Sequence, residues 1–408
     1  MKIAFFSDCY LDLTGGIVSS INAQKAALEA NGHIVYIFSS SFPKSDKELS
    51  DLAKQNIFPV PSCRLFFRGL TPVSRRPKII EKWLIKNHPE IKQFDIFYIH
   101  YESGCSIAGL RLGKQLNIPT FQVMHGREDM GEANLIPFGF RTIVASFLNW
   151  FHSWYLPHPI KIKRDDYLAS TLASAKMWTL MVNHANSADF VLTPSEHFRK
   201  KLIHYGVSKP TKVMPNGFPD AKFPENPPVK TLDPNEKLRM IWHSRVSGEK
   251  RILPFLEALT QVKGNYQLDV YGDGNDMGRA RRFAERHHLN VKFHGTVPFV
   301  KLSEAISNSH LDVLVSYNFD TFGMTLIEAE AYGVPVFFCD PDMQEIVPKG
   351  SFMMSQNETP AKMAESLNDL ICHPENIAKM SKVMLSHRDE VLVSKRIKQL
   401  ERIFASGR

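Results

Sequence analysis

The sequence predicts an α/β protein of two doubly wound domains, each a parallel sheet covered by helices, and three observations predict it. The chain has 408 residues, too many for one ordinary core and suited to two domains of about 100–200 residues each. Short apolar, β-branched runs alternate with helix-period segments, and the alternation comes in two series. Between the series lies a stretch rich in proline and charge and poor in periodicity, PDAKFPENPPVKTLDPNE at residues 219–236, which reads as a linker.

The first series places buried parallel strands at 2–7, 33–39, 95–100, 120–125, 190–194 and 212–215, with the clearest helical periods at 16–31 and 195–205. This is the order of a doubly wound sheet. After the linker, strands are expected at 239–243, 266–271, 291–294, 311–316 and 334–339. A charged helical stretch at about 386–404 has no strand after it, so it is expected to pack back toward the first domain. The expected organisation is therefore a first domain at 1–218, a linker at 219–236, a second domain at 237–385 and a terminal helix at 386–408.

Composition narrows the class. A hydrophobic fraction of 43% is near the globular average. The five cysteines, Cys9, Cys63, Cys105, Cys339 and Cys372, are odd in number, far apart and without a CxxC pair. Neither a disulfide framework nor a zinc cluster is indicated, and a reducing cytoplasm fits best. The start, MKIAFFSDCY, runs directly into strand-like residues and lacks the apolar core and cleavage site of a secretory signal. No window reaches the 18 or so consecutive apolar residues of a spanning helix, so any membrane association is expected to be peripheral. A net charge of +8 favours an anionic partner: nucleotide, nucleic acid or acidic bilayer. Charge does not choose among them.

Three loops carry the chemistry. Gly15 and Gly16 follow the first strand and precede a helix, where glycine lets backbone approach a ligand and a helix N-terminus offers free N–H groups to a phosphate; alone, such a pair is equally plain turn chemistry. In SRVSGEKR, Arg245 and Lys250 follow the first strand of the second domain, the end of an open α/β sheet at which ligands bind, and two cations there suit a diphosphate. By itself a basic loop is more often simply solvated. The most specific segment is SYNFDTFGMTLIEAEAYGVPV, which sets Asp320 eight residues before Glu328, with Phe322, Gly323, Met324 and Thr325 between them. Its helix N-terminal amides suit phosphate oxygens, and its two acids suit sugar hydroxyls.

In sum these segments resemble the retaining nucleotide-sugar glycosyltransferases of family four, with two Rossmann-like domains in the GT-B fold. The resemblance covers nearly the whole chain. Its elements occur in the family's order: the glycine pair, Gly32-His33, His125 in QVMHGRED, TPSEHFRKKLIHYGV, Pro215-Asn216-Gly217, the Arg245-x4-Lys250 pair, GDG beginning at Gly272, and the acidic-x7-Glu loop. What it implies is a nucleotide-sugar donor in a cleft between the domains, its diphosphate on Arg245, Lys250 and the amides of residues 323–325. Glu328 is then expected at the ribose, Asp320 at the transferred sugar and His125 beside the reacting carbon. No metal and no cofactor are expected, because the cations stabilise the leaving diphosphate. The family's retention is attributed to same-face attack, so no protein nucleophile is named. The chain departs from the pattern at Asp320, where Glu is usual, at Ser244, where Gly is usual, and at Phe218-Pro219 after the PNG.

Two segments of the first domain are candidates for the acceptor side. CRLFFRGLTPVSRRPKIIEKWLIK carries Arg64, Arg68, Arg75, Arg76, Lys78, Lys82 and Lys86 against one acid, Glu81, interleaved with Phe66, Phe67 and Trp83. The other, NLIPFGFRTIVASFLNWFHSWYLPHPIKIKRDDY, is rich in aromatics, Trp150 and Trp154 among them. Cations beside apolar rings are the pattern of interfacial binding; internal rings with solvated charges are the plain alternative. No nucleic-acid reader motif accompanies the charge. The DTFGMT loop also resembles the ETQGLT variant of bacterial enzymes that glucosylate diacylglycerol. The expectation is thus a peripheral cytoplasmic enzyme on the inner face of the cell membrane, moving a hexose from UDP-glucose to a lipid acceptor at an anionic surface, with an α-glycosidic bond formed. The same chemistry on a soluble or polyprenyl-linked saccharide, a non-catalytic nucleotide-sugar binder and, more remotely, a two-domain nucleotide-sugar epimerase remain open.

Overall fold

The computed structural model describes residues 1–8, 16–41, 45–65, 71–130, 136 and 138–407. Contacts divide the chain into two compact units, Met1–Pro215 with Arg396–Arg408, and Asn216–Lys395. Each is built on a parallel sheet.

In the first unit the strands are β1 (Lys2–Ser7), β2 (Ile34–Ser40), β3 (Ile57–Val60), β4 (Ser62–Leu65), β5 (Thr71–Ser74), β6 (Ile96–His100), β7 (Thr120–Val123), β8 (Phe190–Thr193) and β9 (Thr211–Val213). The seven-stranded sheet has the order β3-β2-β1-β6-β7-β8-β9. Side chains alternate between faces along a strand, and β1 shows what that requires here. Ile3 and Phe5 enter one core with Ile37 and Tyr98, while Ala4 and Phe6 enter another with Phe38 and Phe97. Both faces are covered, so the strands read as unbroken apolar runs. Ile397, Leu400, Ile403 and Phe404 of the helix Val393–Ser406 join the Ile3 and Phe5 face. Glu401 fixes that helix by accepting from Asn31 Nδ2 at 2.8 Å, with His33 Nε2 2.9 Å away.

The second unit has β10 (Leu238–His243), β11 (Tyr266–Tyr271), β12 (Val291–Gly295), β13 (Leu311–Leu314), β14 (Val336–Phe338) and β15 (Phe352–Met354), in the order β12-β11-β10-β13-β14-β15. Met240 and Trp242 face one core and Ile241 the other.

Several boundaries differ from the sequence reading. Residues 219–236 lie inside the second unit: Lys230 is buried, donates its backbone N–H to Ser381 Oγ at 2.8 Å and its ammonium to the Ser307 carbonyl at 2.6 Å. Prolines suppress periodicity there without making the segment free. Residues 216–218 also belong to the second unit, where the Phe218 N–H donates to Val391 O at 2.7 Å and Val393 N–H to Phe218 O at 2.9 Å. The terminal stretch is a helix ending at His387, a 3-10 turn at Arg388–Val391 and the helix Val393–Ser406. Edge strands β3 and β15 and the antiparallel pair β4–β5 were not anticipated.

The aromatic segment of the first unit forms the helix Arg141–Ser153, packed on the helix Leu172–Ala185. A chain of histidine rings, two buried and one half-buried, ties them together. His158 Nδ1 lies 3.3 Å from His152 Nδ1, His152 Nε2 3.0 Å from His184 Nδ1, and His184 Nε2 3.0 Å from Gln122 Oε1 at β7. At the outer end, His158 Nε2 lies 3.0 Å from Asn149 Oδ1.

Candidate active site

In the second unit the strand ends of β10, β11 and β13 bring together residues distant in sequence. The loop after β11 packs backbone to backbone on the loop after β10. Gly272 has φ +119°, and a Cβ there would lie 2.2 Å from Ser244 O; one on Gly274 would lie 2.3 Å from Val246 O. Glycine is required at both for this close approach. The β10 loop then makes a 3-10 turn, Gly248–Lys250. Buried Glu249 accepts from Ser247 Oγ at 2.6 Å and pairs with the largely exposed Arg245 at 3.0 Å.

From that turn Lys250 Nζ donates to both carboxylate oxygens of Asp320, at 2.7 and 2.8 Å. Ser316 Oγ donates to the same carboxylate. The two charged side chains are only 12% and 13% exposed. An ammonium has three donors, so this arrangement leaves Lys250 one more for a ligand. Beyond Asp320 the chain turns at Gly323, φ +69°, where a Cβ would lie 2.9 Å from the Leu314 side chain. The helix Met324–Ala331 begins there, so its first amides have no partner within the helix. Ser244 Oγ and Thr325 Oγ1 are buried with no protein hydrogen-bond partner. Phe322, counted with this loop, turns its ring into the core beside Leu326 and Ile327, so the expected contact through its side chain is not available.

Glu328, on that helix, meets a residue the sequence reading did not single out. Its Oε2 lies 3.2 Å from His243 Nδ1, and His243 Nε2 is bonded to Asp312 of β13. Burial pulls the His243 imidazole down, but Asp312 and Glu328 outweigh it and push the group up to about 10.

His125 of the first unit lies just past β7, its Nε2 2.8 Å from His100 Nδ1 and the two rings stacked. Burial holds His125 down to about 3 and lowers His100 too, the charge of His125 adding to the latter. Both are neutral. Nearby in sequence, burial with Asp129 pushes Glu128 up to about 7, and Arg127 pairs with buried Asp129 at 2.7 Å. Asp8, also missed by the sequence reading, accepts from Ser74 Oγ, Ser106 Oγ and the amides of Ser103, Cys105 and Ser106, capping the helix Gly104–Leu116. Its position between β1 and the glycine pair was the available signal. Gly16 opens the helix Gly16–Ala30; Gly15 lies outside the described residues.

Residues 14–222 match the family model "Glycosyltransferase Family 4", and residues 225–383 match "Glycosyl transferases group 1". The chain belongs to glycosyltransferase family four. It is 24% identical over 358 residues to an alpha-monoglucosyldiacylglycerol synthase of Streptococcus pneumoniae, covering 82% of this chain and 70% of that one. To the enzyme of the same name from Acholeplasma laidlawii it is 22% identical over 399 residues, covering 94% and 91%. Among solved structures, HepE of Anabaena in complex with UDP superposes with a TM-score of 0.68 at 16% identity over the whole of both chains. TarM does so with 0.71 at 12% identity, covering 99% of this chain and 98% of that one. These likenesses establish the GT-B fold of two parallel-sheet domains.

The two candidate acceptor segments of this glycosyltransferase prove unlike. In the helix Pro77–Asn87, Ile80 and Leu84 are buried in the core and Trp83 packs half-buried against His88. Its apolar face is therefore taken, and Arg75, Arg76, Lys78, Lys82 and Lys86 are exposed, with no exposed ring beside them in this segment among the described residues. Phe66, Phe67 and Arg68 lie outside the described residues, as does the Arg64 side chain. In the other segment Phe140, Ile143, Phe147, Trp150 and Trp154 are each half or more exposed, at the 3,4 spacing that lines one helix face. Among the described residues no helix is long and apolar enough to cross a membrane, and no group of three His, Cys, Asp or Glu is gathered for a metal.

Proposed function

We propose that this glycosyltransferase is retaining and moves a hexose, glucose from UDP-glucose, to a diacylglycerol-type lipid at the anionic inner face of the cell membrane, without a metal. The observation that carries the donor half is the cluster of Lys250, Asp320, the Met324 helix N-terminus and Glu328 past the ends of the central strands β10 and β13. Lys250, through its remaining N–H, and Arg245 take the diphosphate, together with the amides of residues 323–325 and the hydroxyls of Ser244 and Thr325. As the bond from the sugar carbon to the donor phosphate oxygen breaks, negative charge grows on the leaving diphosphate, and fixed cations stabilise it most there. The acceptor oxygen bonds to the same face of that carbon, and its proton passes to a donor phosphate oxygen. Asp320 holds sugar hydroxyls and Glu328 the ribose.

The acceptor half rests on the exposed ring stripe of the helix Arg141–Ser153. Rings at the headgroup level with cations nearby are the pattern of interfacial binding, each cation contributing on the order of 1 kcal/mol at an anionic leaflet. Two relatives bearing the name alpha-monoglucosyldiacylglycerol synthase support the lipid reading.

The test offers UDP-glucose, UDP-galactose and GDP-mannose with diacylglycerol in anionic vesicles, or without acceptor, in chelator, and reads nucleotide release and lipid product by mass spectrometry. Glucosyl-lipid is the expected product. Release without lipid product moves the acceptor to a saccharide, and no release from any donor removes the catalytic reading.

A further inference from the structure

His243 ends β10, and the neighbouring β13 pairs with it in parallel, Ile241 opposite Asp312. The ring is sandwiched: Nε2 is bonded to Asp312 and Nδ1 lies 3.2 Å from Glu328 Oε2. His243 and Asp312 are 1% and 0% exposed at their side chains, Glu328 23%. A neutral imidazole has a single N–H. A carboxylate on each side of a buried ring favours its doubly protonated form: Nε2 is bonded to Asp312, and Nδ1 faces Glu328 as an ion pair at 3.2 Å, outside hydrogen-bond geometry.

We propose that His243 is a positioning residue for donor binding: as an imidazolium anchored by Asp312, it holds one oxygen of Glu328 and leaves the other fixed toward the ribose of the nucleotide. This rests on the reading that Glu328 takes the ribose. The partly exposed Glu328 side chain has several rotamers to choose among, and binding would have to order it; an ion pair with the anchored ring orders it beforehand. The imidazolium also offsets one of two carboxylates close to where an anionic diphosphate is expected. A merely structural ring would influence folding and leave the recognition of ribose hydroxyls untouched.

The experiment measures, by calorimetry on the full chain, the affinity for UDP and for its 2′-deoxy and 3′-deoxy analogues. In the wild type, UDP is expected to bind at least about tenfold more tightly than the weaker analogue, the worth of a hydrogen bond to a charged group. Glu328→Ala is expected to abolish that ratio, and His243→Gln to shrink it to within about threefold. If Glu328→Ala keeps the ratio, the ribose reading fails and the proposal with it. If Glu328→Ala loses it and His243→Gln keeps it, the ribose reading stands and the positioning role alone is overturned. Asp312→Asn supplies a second test, which also serves where His243→Gln prevents folding. Ionisation of the terminal phosphate of UDP itself gives both proteins a pH-dependent affinity, so the two are compared on the same ligand: without its anchor the buried ring loses its charge, and the Asp312→Asn profile is expected to depart from that of the wild type. Superimposable profiles for the wild type and a folded Asp312→Asn protein overturn the proposal.

Discussion

His125 in the first unit and His243 in the second each sit at or just past the end of a parallel strand, and both are buried, yet one is held neutral and the other charged. Burial alone disfavours the imidazolium, and at His125 the neighbour is another neutral ring, so burial decides. At His243 two carboxylates lie against the ring nitrogens, and their attraction exceeds the same penalty. The contrast extends over the two units. The second gathers opposite charges at its strand ends and pairs them. The first buries neutral rings and displays an apolar stripe.

Lys250→Ala is the strongest way to break that contrast. It removes the ammonium from beside Asp320, and sugar transfer should fall by roughly 10²–10³-fold, in line with loss of one transition-state charge contact. Full activity in a variant with unchanged circular dichroism would remove the donor site from these strand ends. Next in size, replacing Trp150 and Trp154 together by Ala should weaken binding to anionic vesicles by about tenfold or more, since burying each large apolar side chain contributes about 1.5–3 kcal/mol. Metal-free UDP-glucose hydrolysis without vesicles should stay unchanged. Undiminished sedimentation with vesicles would place the membrane contact elsewhere. Charge reversal at Arg75 and Arg76 tests the basic surface separately: vesicle binding should fall several-fold at low salt and converge with the wild type at high salt, whereas a loss that persists at high salt would argue for contacts other than charge.

The smallest effect concerns pH and sharpens the comparison directly. The folded-state value of His243, about 10, lies above the ordinary 6.5, so its contribution to stability is complete below about pH 6.5 and is lost as pH rises toward 10. That of His125, about 3, lies below 6.5, so its contribution is complete above pH 6.5 and is lost as pH falls toward 3. Thermal midpoints should therefore decline on the alkaline side less in His243→Gln and on the acid side less in His125→Gln, each by a few degrees. Identical pH slopes in both variants and the wild type would contradict the assigned charge states.

The strands that carry this chemistry were legible because a parallel sheet covered on both faces writes continuous apolar runs, as at β1 and β10. Two of the short edge strands were not: IFPV of β3 contains a proline, FMM of β15 lacks β-branching, and both are partly in solvent. Motif spacing brought out Lys250, Asp320 and Glu328, while the ion pair between the first two, spanning 70 residues, needs the fold to exist. His243 left no local signal at all. Its partners are 69 and 85 positions away, and in IWHS it reads as one more residue closing an apolar strand. Trp83 and Phe322 misled in the opposite sense, since an aromatic ring beside charges reads as surface or site, while packing turned both inward.

One consequence lies in the ring chain that joins the helix Arg141–Ser153 to β7. Gln122 Nε2 donates to Tyr101 O and Val123 O, and Asn149 Nδ2 to Ala145 O and Lys176 O, so both amides turn their oxygens toward the histidines. Between these two acceptors lie four gaps and three imidazoles. Burial lowers all three rings, with Lys161 adding at His158, and three neutral rings supply three hydrogens for four gaps. One gap must set lone pair against lone pair, or a fourth proton must join at half-buried His158. The helix that bears the exposed tryptophans is thus fastened to the sheet by a count of protons, and one proton decides whether the last link closes.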